Sequence, residues 1–175
     1  IALGYNANAL NVKSIALGYN SNASGPNSIA SGANSNASGT SAIAIGKSSN
    51  VNSQNALALG VSAKAKADGA IAIGTSSVAN KENAIALGYS AKATDAKSIA
   101  IGTNANANGQ GIAIGPEAMS NQSNAIAFGY QANANGLSAI AIGCQAAASK
   151  QKAIAIGEQA EASGEYAYAL GLQAK

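Results

Sequence analysis

No histidine occurs among the 175 residues, so the commonest general base and the commonest metal-ligating side chain are both missing. Cys144 stands alone, which rules out an internal disulfide and a thiolate metal cluster. Arginine is absent too: all 10 basic residues are Lys, charged residues are only 10% of the chain, and the formal net charge is +3. Nucleic-acid binders ordinarily carry a dense basic stripe containing Arg, so no nucleic-acid partner is expected. Aromatic residues make up 4%, too few to fill a thick core with large side chains. No run approaches the roughly 20 consecutive apolar residues of a membrane helix, and the first residues show no basic-then-apolar export signal. Ile1 and Lys175 both fall inside repeats, which reads as a fragment of a longer protein with any signal or anchor outside it.

What the chain has instead is Ala, Gly, Ile and Asn in a fixed order. The tetrapeptide Ile99-Ala100-Ile101-Gly102 has relatives beginning at Ile1, Ile15, Ile29, Ile43, Leu57, Ile71, Ile85, Ile112, Ile126, Ile140, Ile154 and Tyr168. These 13 copies are spaced by 14 residues, except that 112 − 99 = 13. A fixed short period along a whole chain is the signature of a solenoid. Counted from the first Ile, the repeat reads I-A-[IL]-G-x-x-[AS]-x-A-x-G-x-x-[SA].

Ala-richness alone suggests helices, but Gly in every repeat costs a helix roughly 1 kcal/mol each time, and 14 residues with this alternation hold no heptad of large side chains. The large–small alternation of Ser14-Ile15-Ala16-Leu17, ended by Gly, predicts a short strand instead. A second alternation, as in Ala7-Asn8-Ala9 and Ala132-Asn133-Ala134, predicts another. Turns fall at the tetrapeptide Gly and at position eleven, where Gly25, Gly39, Gly109, Gly136 and Gly164 suggest positive φ. The coil from Ile99 lacks one residue after Gly109, in a turn, where neither strand need slip.

Two strands and two turns per repeat make one coil of an all-β solenoid, a parallel β-roll of 14-residue coils. Stacking at about 4.8 Å per coil gives a length of roughly 60 Å over a single domain, residues 1–175. Positions two, seven, nine and fourteen are Ala or Ser almost throughout, as suits an interior too narrow for branched side chains. Positions six, eight and ten, with residues such as Asn8, Lys64, Lys92 and Glu161, face water. Positions one and three then point out of the roll, and they carry the large aliphatics. Ile15, Leu17, Ile43, Ile45, Leu57, Leu59, Ile71, Ile73, Ile85, Leu87, Ile99, Ile101, Ile112, Ile114, Ile126, Phe128, Ile140, Ile142, Ile154 and Ile156 form this stripe. An apolar stripe of such length marks an interface, and copies of the same chain around a closed axis would bury it on every subunit. Ser31 interrupts it, while Phe128 and Tyr168 enlarge their sites.

The motif [NS]-[SA]-I-A-[IL]-G, followed by small-x-small and Gly, resembles the YadA-like head repeat of trimeric autotransporter adhesins. Asn27-Ser28-Ile29-Ala30, Asn55-Ala56-Leu57-Ala58-Leu59-Gly60, Asn83-Ala84-Ile85-Ala86-Leu87-Gly88 and Asn124-Ala125-Ile126-Ala127 carry it most fully. The resemblance implies left-handed coiling and three rolls side by side as a homotrimer. It also implies a place on a Gram-negative cell surface, at the tip of a coiled-coil stalk held by an outer-membrane barrel. By the same resemblance the partners are matrix proteins such as collagen, fibronectin or laminin, or host cells, or other copies in autoaggregation.

No catalytic, cofactor-binding or metal-binding residue is assigned, and no enzyme activity is expected. Glu158, Glu161 and Glu165 cluster in one coil, but without His or pocket-forming aromatics they read as a solvated face. Calcium-binding rolls use a Gly-Gly-x-Gly-x-Asp repeat that does not occur here. Lys64, Lys66, Lys81, Lys92 and Lys97 concentrate in the middle coils, where solubilising charge competes with a mildly basic band for an acidic partner such as a sulfated glycan. Tyr5, Tyr19, Tyr89 and Tyr130 share position five, where packing over the turn competes with ligand contact. Lys64, Lys66, Lys92, Tyr89 and Tyr130 are the residues of choice for a ligand surface. A structural spacer that projects another binding domain is the competing role. An ice-binding solenoid needs a uniform ladder of one residue type, and trimeric acyltransferases use a six-residue period and a His base.

Overall fold

The computed structural model describes residues 1–175, and every regular element is a β-strand. The chain forms two compact units, Ile1–Ser90 and Ala91–Lys175. In the first, strands Ala2–Leu3, Ile15–Leu17, Ile29–Ser31, Ile43–Ile45, Leu57–Leu59, Ile71–Ile73 and Ile85–Leu87 lie in one sheet in chain order. Asn8–Ala9, Asn22–Ala23, Asn36–Ala37, Asn50–Val51, Lys64–Ala65 and Val78–Ala79 make the other. The second unit repeats the plan. Its first sheet runs from Ile99–Ile101 through Ile112–Ile114, Ile126–Phe128, Ile140–Ile142 and Ile154–Ile156 to Tyr168–Leu170. Its other sheet runs from Lys92–Ala93 through Asn106–Ala107, Met119–Ser120, Asn133–Ala134 and Ala147–Ala148 to Glu161–Ala162.

Pairing within each unit is parallel and like sits on like. Ile71 stands beside Leu57 and Ile85, and Ala72 beside Ala58 and Ala86. This register is the structural form of the 14-residue period, and it makes each unit a parallel β-solenoid. The missing residue does not disturb it: Ile99 pairs with Ile112, and Asn106 with Met119.

The interior is nearly all Ala. Ala16, Ala44, Ala72, Ala100 and Ala127 at position two, and Ala23, Ala79 and Ala107 at position nine, are fully buried. So narrow a core places the two backbones close together, and most of its buried Ser find a local acceptor, although Ser28 and Ser120 Oγ are buried without a partner. Ser35, Ser49 and Ser77 Oγ each donate to the carbonyl of the Gly three residues earlier at 2.8 Å. Val51 is the exception to the expectation that no branched side chain fits: it is fully buried at position nine, between Ala37 and Ala65. Flanking Ala on both sides leaves room for its two methyl groups.

Two turns of one kind close each coil. Ser35 N donates to Gly32 O and Ala42 N to Gly39 O, both at 3.2 Å, spanning positions four to seven and eleven to fourteen. In each turn the third residue is left-handed, as in Asn34 at φ 57° and Ser41 at φ 54°, the pattern of a type II turn. Positive φ therefore falls at positions six and thirteen, and also at the Gly of position four, as in Gly60 at φ 139°. The expectation for position eleven is overturned at Gly25, Gly39, Gly136 and Gly164. Gly136 is needed for a different reason: a Cβ there would collide with the carbonyl oxygen of Lys150 in the next coil. Only the short coil needs a left-handed residue at position eleven. There Gly109 at φ 54° and Gln110 at φ 59° are both left-handed and Gly111 N reaches Asn108 O at 2.8 Å, a tighter type I′ turn. Eight of the 24 non-Gly residues with positive φ are Asn, so much of the Asn content serves the backbone.

Candidate functional site

Side chains alternate across a strand, so an inward Ala at position two forces positions one and three outward. The structure follows this rule in every coil from Ile15 onward, while Ala2 of the terminal coil is exposed. All twenty stripe residues, from Ile15 and Leu17 to Ile154 and Ile156, flank a buried Ala and remain partly accessible. Like-on-like register lets each aliphatic pack along the row against those of neighbouring coils, which covers part of its surface and leaves the rest. Leu59 is 40% exposed, Leu87 38% and Phe128 52%. Each unit thus carries a double row of aliphatic side chains with nothing over it, interrupted in the first unit by Ser31 between Leu17 and Ile45.

The five residues expected at a ligand surface are distributed rather than gathered. Lys64 and Lys66 are exposed on the second-strand face at positions eight and ten, while Tyr89 is exposed in the turn after Gly88. Lys92 at position eight and Tyr130 at position five belong to the other unit. Of the four tyrosines at position five, Tyr5 and Tyr19 occupy consecutive coils and stack, with ring centroids 5.6 Å apart and planes 11° from parallel. The two rings pack against each other and stay more than half exposed. Glu158, Glu161 and Glu165 occupy positions five, eight and twelve, spread around the coil. Glu161 approaches Lys175 at 3.9 Å, an exposed pair of little energetic weight.

The stack also lines up side-chain amides. Asn22 Nδ2 donates to Asn36 Oδ1 at 2.7 Å and Asn36 to Asn50 at 3.3 Å, along position eight of the first unit. At position six of the second unit, Gln173 donates to Gln159 at 3.0 Å, Gln159 to Gln145 at 3.2 Å and Gln145 to Gln131 at 3.1 Å. The row ends where Gln131 Nε2 donates to Glu117 Oε2 at 2.8 Å. Asn104, next at position six, is a methylene shorter than Glu or Gln and does not extend it. A concavity of about 360 Å³ opens there, lined by Asn104, Glu117, Gln131 and Met119. The repeat pattern hides this feature, since position six asks only for a polar residue that tolerates positive φ. Its sequence signal is charge: Glu117 is the sole charged residue between Lys97 and Lys150.

The family described as YadA head domain repeat matches residues 1–21, 23–49, 52–77, 79–105, 97–118, 107–132, 120–143 and 148–174. The fold is similar to the crystal structure of the collagen-binding domain of the Yersinia adhesin YadA. The TM-score is 0.66 and the identity 31%, over 72% of this chain and 72% of that one. No curated protein matches the chain.

Proposed function

The chain belongs to the YadA head domain family, and from that membership we propose a trimeric, non-enzymatic adhesin head at a bacterial cell surface. Residues 1–175 act as one head domain that binds host extracellular-matrix proteins, collagen first among them, or host cells, or other copies of itself. The observation that carries the ligand is the 31% identity to a collagen-binding domain.

The aliphatic rows at positions one and three supply the trimer interface. Exposed apolar area on this scale calls for a periodic partner, and two further copies of the chain present matching rows. With those rows turned to a common axis, the second-strand face and the turns remain for ligands. Lys64, Lys66 and Lys92 stand on that face, with Tyr89 and Tyr130 in the turns. The rows of Asn and Gln amides suit collagen, whose polyproline-II-like chains present carbonyls that accept hydrogen bonds. Adhesion then follows from many weak, regularly spaced contacts, multiplied by three subunits.

Solid-phase binding of the purified protein to immobilised collagen, fibronectin and laminin tests this reading, with aggregation of protein-coated beads beside it. Saturable binding to at least one matrix protein, or bead aggregation, is expected. Failure of all four leaves the chain as a spacer that projects another binding domain.

A further inference from the structure

We propose that the concavity at the end of the Gln row is a receptor for a single arginine side chain of a partner protein. The carboxylate supplies the first reason. Gln131 Nε2 occupies Glu117 Oε2 at 2.8 Å, and Glu117 Oε1 accepts no hydrogen bond within the unit. A carboxylate has about four acceptor sites, and Glu117 is exposed, so most of them face solvent and are open to a partner's donors. Its surroundings supply the second. No other charged residue occurs between Lys97 and Lys150, so this stretch of chain contains no cation to neutralise it. Lys92 lies two strands away along the second sheet, in the register Lys92, Asn106, Met119, and forms no ion pair with it.

The remaining walls decide the kind of cation. Asn104 adds an amide carbonyl and Met119, 37% exposed, an apolar thioether. A bare divalent ion needs six to eight oxygen ligands, or several waters in their place, and one carboxylate with two amides falls short. A side chain with an apolar stem and a charged head fits better, the stem along Met119 and the head at Glu117. Guanidinium spreads five donors over a rigid plane and can engage Glu117 Oε1 and Asn104 Oδ1 together, which an ammonium on a flexible stem does less well. The chain contains no arginine, so the occupant comes from another molecule. The proposal is independent of which matrix protein the head binds, and failure of the matrix panel leaves it standing.

Met119 is the only methionine, so isotope-labelled methionine methyl gives one NMR signal, located in the concavity. The whole chain is titrated with acetyl-Gly-Arg-Gly-amide, with its lysine counterpart, and with its citrulline counterpart, a neutral group of nearly the same shape. The arginine peptide should shift the methyl signal saturably, with a dissociation constant on the order of 1 mM for so small a contact. The lysine peptide should bind at least about threefold more weakly, the citrulline peptide should leave the signal in place, and about 0.5 M salt should weaken the arginine response. Glu117→Gln extends the existing Gln row and keeps the fold, and should weaken the arginine peptide at least about tenfold. Equal shifts from citrulline, equal affinity for lysine, or full binding by E117Q would each overturn the proposal.

Discussion

Leu59→Asp is the sharpest probe of the aliphatic rows, because the structure gives this position opposite expectations in a lone chain and in an assembly. Leu59 is 40% exposed and stands beside Ile45 and Ile73. Complete burial of a Leu is worth about 1.5–3 kcal/mol, so the surface still to be buried at such a site is worth about 0.5–1 kcal/mol. Of the twenty positions only Ile45, Leu59, Leu87, Phe128 and Ile156 are this exposed, so the rows supply less than about 10–20 kcal/mol per subunit, against about 4–15 kcal/mol for the lost freedom in each association step. A folded trimer therefore holds with at most a modest surplus. An Asp at position 59 removes one contribution and places an unpaired carboxylate at the axis in every subunit, at about 3–5 kcal/mol each. That consumes the surplus. In a lone chain the same Asp points at water and costs little. Size-exclusion chromatography with light scattering at micromolar concentration should give a trimer for the parent protein. L59D should give smaller species that either keep the β circular dichroism or unfold for want of the assembly. Lys64→Asp, on the second-strand face, should leave the trimer intact. A soluble folded monomer for the parent, or an undiminished trimer for L59D, would refute the reasoning.

Ser31→Ile completes the row between Leu17 and Ile45 and should raise stability by about 1–2 kcal/mol per subunit, read as an increase in Tm. A clear loss would mean that water or another side chain already fills that place. Gly60→Ala puts a Cβ 2.7 Å from the Gly74 backbone at φ +139° and should cost at least about 2–4 kcal/mol in chemical denaturation. Gly164→Ala, whose Cβ would meet only Ala167 Cβ at 3.5 Å, should change stability by less than about 0.5 kcal/mol. Deleting residues 71–84 removes a whole coil and should leave a folded protein with similar circular dichroism per residue, whereas deleting residues 71–77 sets unlike strands side by side and should unfold locally or aggregate. Equal melting temperatures and protease resistance for the two deletions would contradict the coil assignment.

The strands, their register and the direction of each side chain were legible because one pattern states them many times over. A period of 14 fixes Ile71 beside Ile85, and alternation around Ala72 fixes which way each points. The turns were legible in place and not in detail. Gly at position eleven suggested left-handed backbone, yet the structure uses Gly136 for close approach and gives the left-handed conformation to residues such as Ser138 and Lys152. Sequence could not separate the two uses of Gly, since both arise from the missing Cβ. Val51 escaped prediction for a related reason: room in the core depends on the Ala neighbours of adjacent coils and not on its own repeat. Lys64, Lys66, Lys92, Tyr89 and Tyr130 share only their residue types, and a type says nothing of grouping. The concavity beside Glu117 depends on the relative lengths of three side chains at position six; the isolated charge of Glu117 marks the place in the sequence and not the hollow.

These differences share a cause in how the coil divides its labour. Positions two, seven, nine and fourteen are held small by the width of the interior, and position four is held to Gly by the approach of the next coil. Positions one and three are held aliphatic by the interface proposed for them. A departure at any of these, such as Ser31, Val51 or Gly111, touches neighbours above and below and has a structural consequence. Positions five, eight, ten and twelve face water and carry no such constraint, and position six asks only for a residue that tolerates positive φ. Tyr, Lys, Pro, Glu and Cys all occur at position five without disturbing the register. Recognition chemistry can therefore change there at almost no cost to the fold. It follows that singular residues at unconstrained positions, Glu117 and Met119 foremost, are better guides to specificity than anything in the repeat itself.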